Sequence, residues 1–304
     1  MICAVIVTYN GERWIGAAIK DLSASASVGH IIVVDNGSTD ETRKRIAESP
    51  KVCLIAKSRN TGFGRANNEG IREALQRGAE HILLLNQDAC ISPKNLSILE
   101  EALIRNSEYG IASPVHLNYD GTTIDPYFIS YMSADPAMIS DLYFQRSKTI
   151  YEVPFVNAAA WLVSRGVFEK AGGFDPLFFL YGEDTDYCRR IRRHGFKLGI
   201  VPATTANHAH MVQDQTKLSL KRRANWQYSG LICDLKLPGR KFTRNMAGVA
   251  AGCFRDGVQS FLVRDMKGCL AIMLAAGKCL PILAKIRRHY LQSQMQGPHW
   301  LDLA

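Results

Sequence analysis

The 304-residue chain contains eight cysteines, at positions 3, 53, 90, 188, 233, 253, 269 and 279, yet no C-x-x-C pair. Several sit inside apolar runs, where a thiol packs as a small hydrophobe, so they read as core residues of a protein in a reducing cytosol. The N-terminal stretch "MICAVIVTYN" lacks a basic leader and a cleavage site, so a first β-strand is expected there and no secretion signal. Long uninterrupted apolar runs are missing as well. The strongest one, "CLAIMLAAGKCLPILAKIRRHY", is broken by Lys278 and Pro281 and reads as too short to span a bilayer. Acidic residues are scarce after residue 216, where 15 Lys and Arg face 4 Asp and Glu, a net of +11. Before it, 22 basic residues face 24 acidic ones, a net of −2. The basicity thus belongs to the tail. That tail lacks regularly interleaved aromatics, which argues against single-stranded nucleic acid as a partner. It suits a basic amphipathic segment at an anionic membrane surface, or an ordinary packed appendage with a solvated charged face.

What the chain does have is alternation. Short β-branched runs ("CAVIVTYN", "HIIVVDNGSTD", "VCLIAKSRN", "HILLLNQDA") take turns with amphipathic segments ("GERWIGAAIKDLSAS", "ETRKRIAES", "FGRANNEGIREALQRG"). Strands that are apolar throughout and separated by helices predict an α/β fold with a mostly parallel sheet covered on both faces. Residues 110–155 read less regularly, with "NYDGTTIDPYF" and "SADPAM" as loop signals. Order returns with a strand in "VNAAAWLV", a short helix from near Ser164 to Gly172 and Gly173, a helix over 183–194, and a last strand in "KLGIVPAT". These divisions predict a unit over 1–216, with a nucleotide-binding half (1–110) and an acceptor half (111–216), followed by a basic helical region over 217–304.

In parallel sheets ligands gather at the carboxyl ends of strands. Four polar stretches close the strands here: Thr8 to Asn10, Asp35 to Asp40, Asn60 to Arg65 and Asn86 to Asp88. Each alone is as well explained by a turn or a helix cap, with Ser38, Thr39 or Asp40 capping the second helix. Four at one edge of one sheet describe a cleft. Asp88 can give an oxygen to Mg²⁺ or Mn²⁺, which needs only one or two protein carboxylates when a diphosphate fills the remaining positions. Asp35 can accept from a base or ribose, and Arg59 and Arg65 are available to a base or to phosphates.

The ordered set "VIVTYN", "VVDNGSTDET", "NTGFGRANNEGI", "LLLNQDA" and "AGGFDPLFFLYGEDTDYCRR", with a late histidine, resembles the inverting family 2 glycosyltransferases of GT-A fold. Within them it is most similar to the bacterial rhamnosyltransferases of surface polysaccharide synthesis. The resemblance covers roughly residues 1 to 215. It implies that Thr8, Tyr9 and Asn10 line a nucleotide cleft, that Asp35 contacts base or ribose, and that Gly62, Phe63, Arg65 and Asn67 complete the pocket. Asp88 falls on the metal-binding end of the family's D-x-D signature. Asn86 replaces its first acid, either as a weaker neutral ligand or as a contact to the donor sugar or ribose. His208, ahead of His210, either completes the metal shell, touches the diphosphate or is structural. Asp184 falls on the catalytic base of the family's "ED" motif. Glu183 then orients the acceptor or a loop, while Asp186, Arg189 and Arg190 make first-turn and ion-pair contacts of the helix. Trp161 is either a sugar-stacking platform or core.

The expected activity is transfer of a sugar, rhamnose in this branch, from a dTDP- or UDP-sugar to a glycan or lipid-linked acceptor. The expected cofactor is Mg²⁺ or Mn²⁺, and the expected place is the cytoplasm or the inner face of the membrane. A sugar-nucleotidyltransferase is disfavoured because "TYNGERW" carries a single glycine where such enzymes have a glycine-rich phosphate loop. A non-enzymatic nucleic-acid or membrane-surface binding protein is the other alternative, resting on the tail charge alone.

Overall fold

A computed structural model describes residues 1–209 and 218–303. Strand β1 (Ile2–Thr8) is buried along its whole length, as its β-branched run requires. It lies between β2 (Val28–Asp35) and β4 (His81–Asn86), parallel to both, and β3 (Val52–Ala56) adds outside β2. Next to β4 the direction reverses: β8 (Ala160–Ser164) is antiparallel to it, β6 (Tyr109–Leu117) is antiparallel to β8, and β9 (Lys197–His208) runs parallel to β6. Two short strands, β5 (Ala89–Cys90) and β7 (Tyr151–Glu152), pair with β9. The sheet among the described residues therefore runs 3-2-1-4-8-6-9-5.

Helices cover both faces. One face packs α1 (Ile15–Ser23) and α4 (Pro93–Arg105) through Ile15, Ile19, Leu22, Leu96 and Leu99. The other packs α3 (Phe63–Gln76), α7 (Arg165–Ala171) and α8 (Glu183–Arg193) around Trp161, Phe168, Phe174 and Tyr187. Trp161 is fully buried and stacks on Phe174 and Tyr187, so it is core and not a sugar platform. The short α2 (Thr42–Ala47) follows β2, and Asp40 Oδ1 takes the Thr42 N–H at 3.1 Å.

The stretch 110–155 is more regular than its loop signals suggest. Two helices, α5 (Pro126–Met132) and α6 (Pro136–Tyr143), each begin with an Asp-Pro pair in which Asp125 or Asp135 accepts first-turn N–H groups. Proline at the first helical position is tolerated because its missing N–H would have no partner there, so Asp-Pro opens a helix at these two positions.

Past the undescribed segment, which includes His210, come α9 (Leu220–Leu235), α10 (Phe242–Leu262), α11 (Met266–Cys279) and α12 (Leu283–Ser293). A single 3-10 turn, Leu280–Ile282, joins the last two. Here the expectation of a run too short to span a membrane is corrected. Pro281 sits in that turn without breaking the rod, and Met266–Ser293 forms one 28-residue helical segment, long and apolar enough to cross a bilayer by length and composition alone. It is nevertheless tied to the rest of the protein on one side: Ala271, Ile272, Ala275, Cys279, Ile286 and Tyr290 are buried, while Met266, Leu270, Met273 and Leu280 are exposed.

Candidate active site

Register brings the polar strand ends together. Thr8 pairs with Asp35, and Val7 with Asn86, so the loops after β1, β2 and β4 leave one edge side by side. Between them lies a cavity of about 280 Å³. Tyr9, Asn36, Asn60, Gly62, Phe63, Asn86, Gln87 and Asp88 line it from the sheet side, and Phe179 and Leu180 close it from the loop that leads to α8. Of the residues expected to bind nucleotide, Tyr9, Gly62, Phe63 and Asn86 face this cavity.

The other expected residues shape it from behind. Thr8 donates to Gln87 Oε1 at 2.6 Å, and the same oxygen takes the Tyr9 N–H at 2.9 Å. Asn10, with φ of 49°, accepts from Thr39 N at 2.9 Å and ties the first loop to the second. Asp35 is fully buried, 2.5 Å from Arg43 Nε, and receives the Ser38 N–H at 3.2 Å. Arg65 turns outward and donates to the Pro176 carbonyl at 2.8 Å, and Asn67 donates to the Phe63 carbonyl at 3.1 Å. Asn36, Asn60 and Gln87 lie inside the polar stretches but carry no charge to single them out. Asn36 nevertheless organises the third loop, donating to Asn60 Oδ1 at 3.0 Å and accepting from Thr61 N at 2.9 Å.

Gly62 has a physical reason to be glycine. Its φ is 94°, and a Cβ there would lie 2.5 Å from the Phe179 carbonyl oxygen. That carbonyl accepts the Phe63 N–H at 3.0 Å, so the loop over the cleft is hydrogen-bonded to the start of α3.

At the far end of the cavity Asp88, 28% exposed, lies 3.6 Å from His208 Nε2, and Asn86 Nδ2 is 3.4 Å from the same nitrogen. The Asn86 Oδ1 is buried with no hydrogen-bond partner among the described residues. An orphaned amide oxygen beside a carboxylate and an imidazole is a donor set that fits a hard or borderline divalent cation. Among the described residues no three His, Cys, Asp or Glu cluster as a metal site, so such an ion would depend on diphosphate or water for the rest of its shell.

The acids of "YGEDTDYCRR" open α8, after Gly182 in the left-handed conformation. Asp184 Oδ1 accepts the Thr185 N–H at 2.7 Å, and burial raises its pKa above the ordinary carboxylate value. Glu183 is 6% exposed, and its Oε2 has no partner among the described residues. Burial, reinforced by the Asp184 charge, pushes Glu183 up to about 8. At neutral pH Glu183 thus holds a proton, and the charge of the pair rests on Asp184. The start of α8 lies against the start of α3: a Cβ on Gly64 would come 3.8 Å from Glu183 Cβ, beside the cavity-lining Gly62 and Phe63.

Comparisons with known proteins bear on the family and the fold. The family model for glycosyl transferase family 2 matches residues 3–172. The dTDP-rhamnosyl transferase RfbF of Shigella flexneri is 30% identical over 68% of this chain and 69% of its own length. The N-acetylglucosaminyl-diphospho-decaprenol L-rhamnosyltransferase of Mycobacterium tuberculosis is 26% identical over 67% and 74% of the two chains. In three dimensions the chain is similar to the mannosyltransferase PcManGT of Pyrobaculum calidifontis, solved with GDP-Man and Mn²⁺. The TM-score is 0.57 at 16% identity, covering 92% of this chain and 86% of that one, which speaks to the GT-A fold. With its strand-end cleft, its acidic helix start and a family match over more than half its length, this chain belongs to glycosyltransferase family 2 and is a glycosyltransferase of GT-A fold.

Proposed function

We propose that this glycosyltransferase moves rhamnose from dTDP-rhamnose to a lipid-linked glycan acceptor, with inversion at the anomeric carbon. The names of the two rhamnosyltransferase relatives support the donor and, in the mycobacterial one, a lipid-diphosphate acceptor. The observation that carries the reading is that the loop through Phe179 and Leu180 closes the strand-end cleft and leads directly into α8, which opens with Glu183 and Asp184.

In this reading Tyr9, Asn36, Asn60 and Phe63 receive the nucleotide, while Thr8, Asn10, Asp35, Arg65 and Asn67 hold the loops that form its walls. Asp88, His208 and Asn86 would hold Mg²⁺ or Mn²⁺, which when bound would neutralise charge on the leaving diphosphate. Asp184 takes the proton of the acceptor hydroxyl as that oxygen bonds to the anomeric carbon and the bond from that carbon to the phosphate oxygen breaks. Glu183, neutral beside it, keeps a second negative charge out of the site and can donate a hydrogen bond to the acceptor. Its raised pKa makes Asp184, once ionised, a better proton acceptor than an ordinary carboxylate.

The acceptor reading also gives the tail a role. Phe254, Phe261, Leu262, Val263, Met266 and Met273 are exposed around the α10–α11 turn, within a region of net charge +11. An apolar face among basic residues suits the interface of an anionic bilayer. The buried stripe on the other side of the rod supports a helix that lies along the bilayer surface.

The test is transfer assayed with dTDP-rhamnose and a polyprenyl-diphosphate sugar, comparing Asp184→Asn with the unmodified protein. Loss of transfer by at least about 100-fold with dTDP binding retained is expected. An active Asp184→Asn refutes the base, and a UDP-sugar used in preference to dTDP-rhamnose refutes the donor.

A further inference from the structure

The match to the family model ends at residue 172, before the helix that carries Asp184. What fixes that helix comes from elsewhere in the chain. Lys236, at the C-terminal end of α9, has no exposed side-chain surface. Its Nζ is hydrogen-bonded to Asp175 Oδ2 and, at 2.6 Å, to Asp186 Oδ1. Asp175 is itself fully buried, with His289 Nδ1 of α12 2.7 Å from its other oxygen. Burial alone would raise the pKa of Asp175, but the Lys236 charge and the contact with His289 outweigh it and hold the carboxyl below its ordinary range. On the helix side, Arg190 lies 3.6 Å from Asp186 and donates to the Gly173 carbonyl at 2.7 Å. Trp300 stacks on His289 and covers Arg190 and Lys236, and Phe178 lies against the same ammonium.

The positions of the two acids in the chain matter most. Asp175 begins the loop that passes through Phe179 and Leu180, and Asp186 stands two residues after Asp184 in the first turn of α8. One ammonium thus grips the segment carrying Glu183 and Asp184 at both ends. Buried ion pairs give little net stability, because desolvation offsets most of the attraction, so what this one supplies is best sought in the geometry it holds. Resting on the assignment of Asp184 as base, we propose that Lys236 is a positioning residue for that base, by which the C-terminal helices set the orientation of the catalytic carboxylate.

The test uses the full chain and two variants. Lys236→Met removes the grip but leaves two buried carboxylates uncompensated. Asp175→Asn/Asp186→Asn/Lys236→Met removes the charges together and so keeps the fold if the single change does not. Active sites are counted by dTDP titration, and kcat per nucleotide-binding site and donor KM are measured at a temperature where the variant is folded. The expected result is a loss in kcat per site of about 10- to 100-fold, as for small misplacements of a catalytic group, with donor KM within about twofold of the unmodified protein. A folded variant with unchanged kcat per site overturns the proposal and leaves Lys236 purely structural. Asp184→Asn run in parallel separates the two ideas: if it is inactive while the Lys236 variants turn over normally, only the positioning role fails.

Discussion

Glu183→Gln tests the acid pair most directly. In the folded protein Glu183 titrates at about 8, against an ordinary value of 4.5, because it is buried next to Asp184. A carboxyl whose folded pKa is raised favours the native state while protonated. The native state then binds more protons than the unfolded chain between about pH 4.5 and 8, so stability falls as pH rises through that window. Between pH 5 and 7.5 the wild-type protein gives up about 3 kcal/mol through this group, at roughly 1.4 kcal/mol per pH unit. Glutamine matches the protonated side chain in size and carries no titrating proton, so the variant avoids that loss. For a chain of this length 3 kcal/mol corresponds to about 5 °C in Tm. Thermal melts of both proteins at matched ionic strength should therefore show near-equal Tm at pH 5 and a gap opening to about 5 °C in favour of Glu183→Gln at pH 7.5. Parallel curves across this range would show that Glu183 is ionised in the folded protein and would dismiss the idea that Asp184 holds the charge alone.

Two further outcomes concern the ends of the site. Asp88→Ala should remove the Mn²⁺ dependence of dTDP affinity measured by calorimetry, and a cation response that persists unchanged would move the metal away from Asp88, Asn86 and His208. Phe261→Glu/Leu262→Glu should weaken co-sedimentation with phosphatidylglycerol vesicles by at least about tenfold while transfer to a soluble acceptor analogue is unaffected, since each change removes an exposed apolar contact and adds a charge repelled by the lipid. Equal vesicle binding by the variant would place the lipid contact elsewhere.

The parts of the architecture visible in the sequence were those with a period. The apolar runs of β1, β2 and β4 and their loops repeat often enough for the parallel half of the sheet and its polar edge to follow from pattern alone. The antiparallel β8 next to β4 did not follow, because a fully buried strand reads the same in either direction. The helices at Pro126 and Pro136 were hidden by the double meaning of Asp-Pro, a turn signal that also caps helices. In the site, charge drew attention to Asp35, Asp88 and Asp184. The neutral amides of Asn36 and Gln87 act through geometry that no spacing encodes. Lys236 was indistinguishable from the other basic residues of the tail, since only tertiary structure takes it, alone among the basic residues of "DLKLPGRK", into a fully buried site.

The bond between the Phe179 carbonyl and Phe63 N has a bearing beyond its own loop. Phe179 forms part of the wall of the cavity, and Asp184 follows it by only five residues, at most about 18 Å of chain. The wall of the cleft and the start of α8 are thereby tied to the same point on α3. A substitution that shifts Phe179 away from Phe63 would therefore disturb the cleft wall and the start of α8 together.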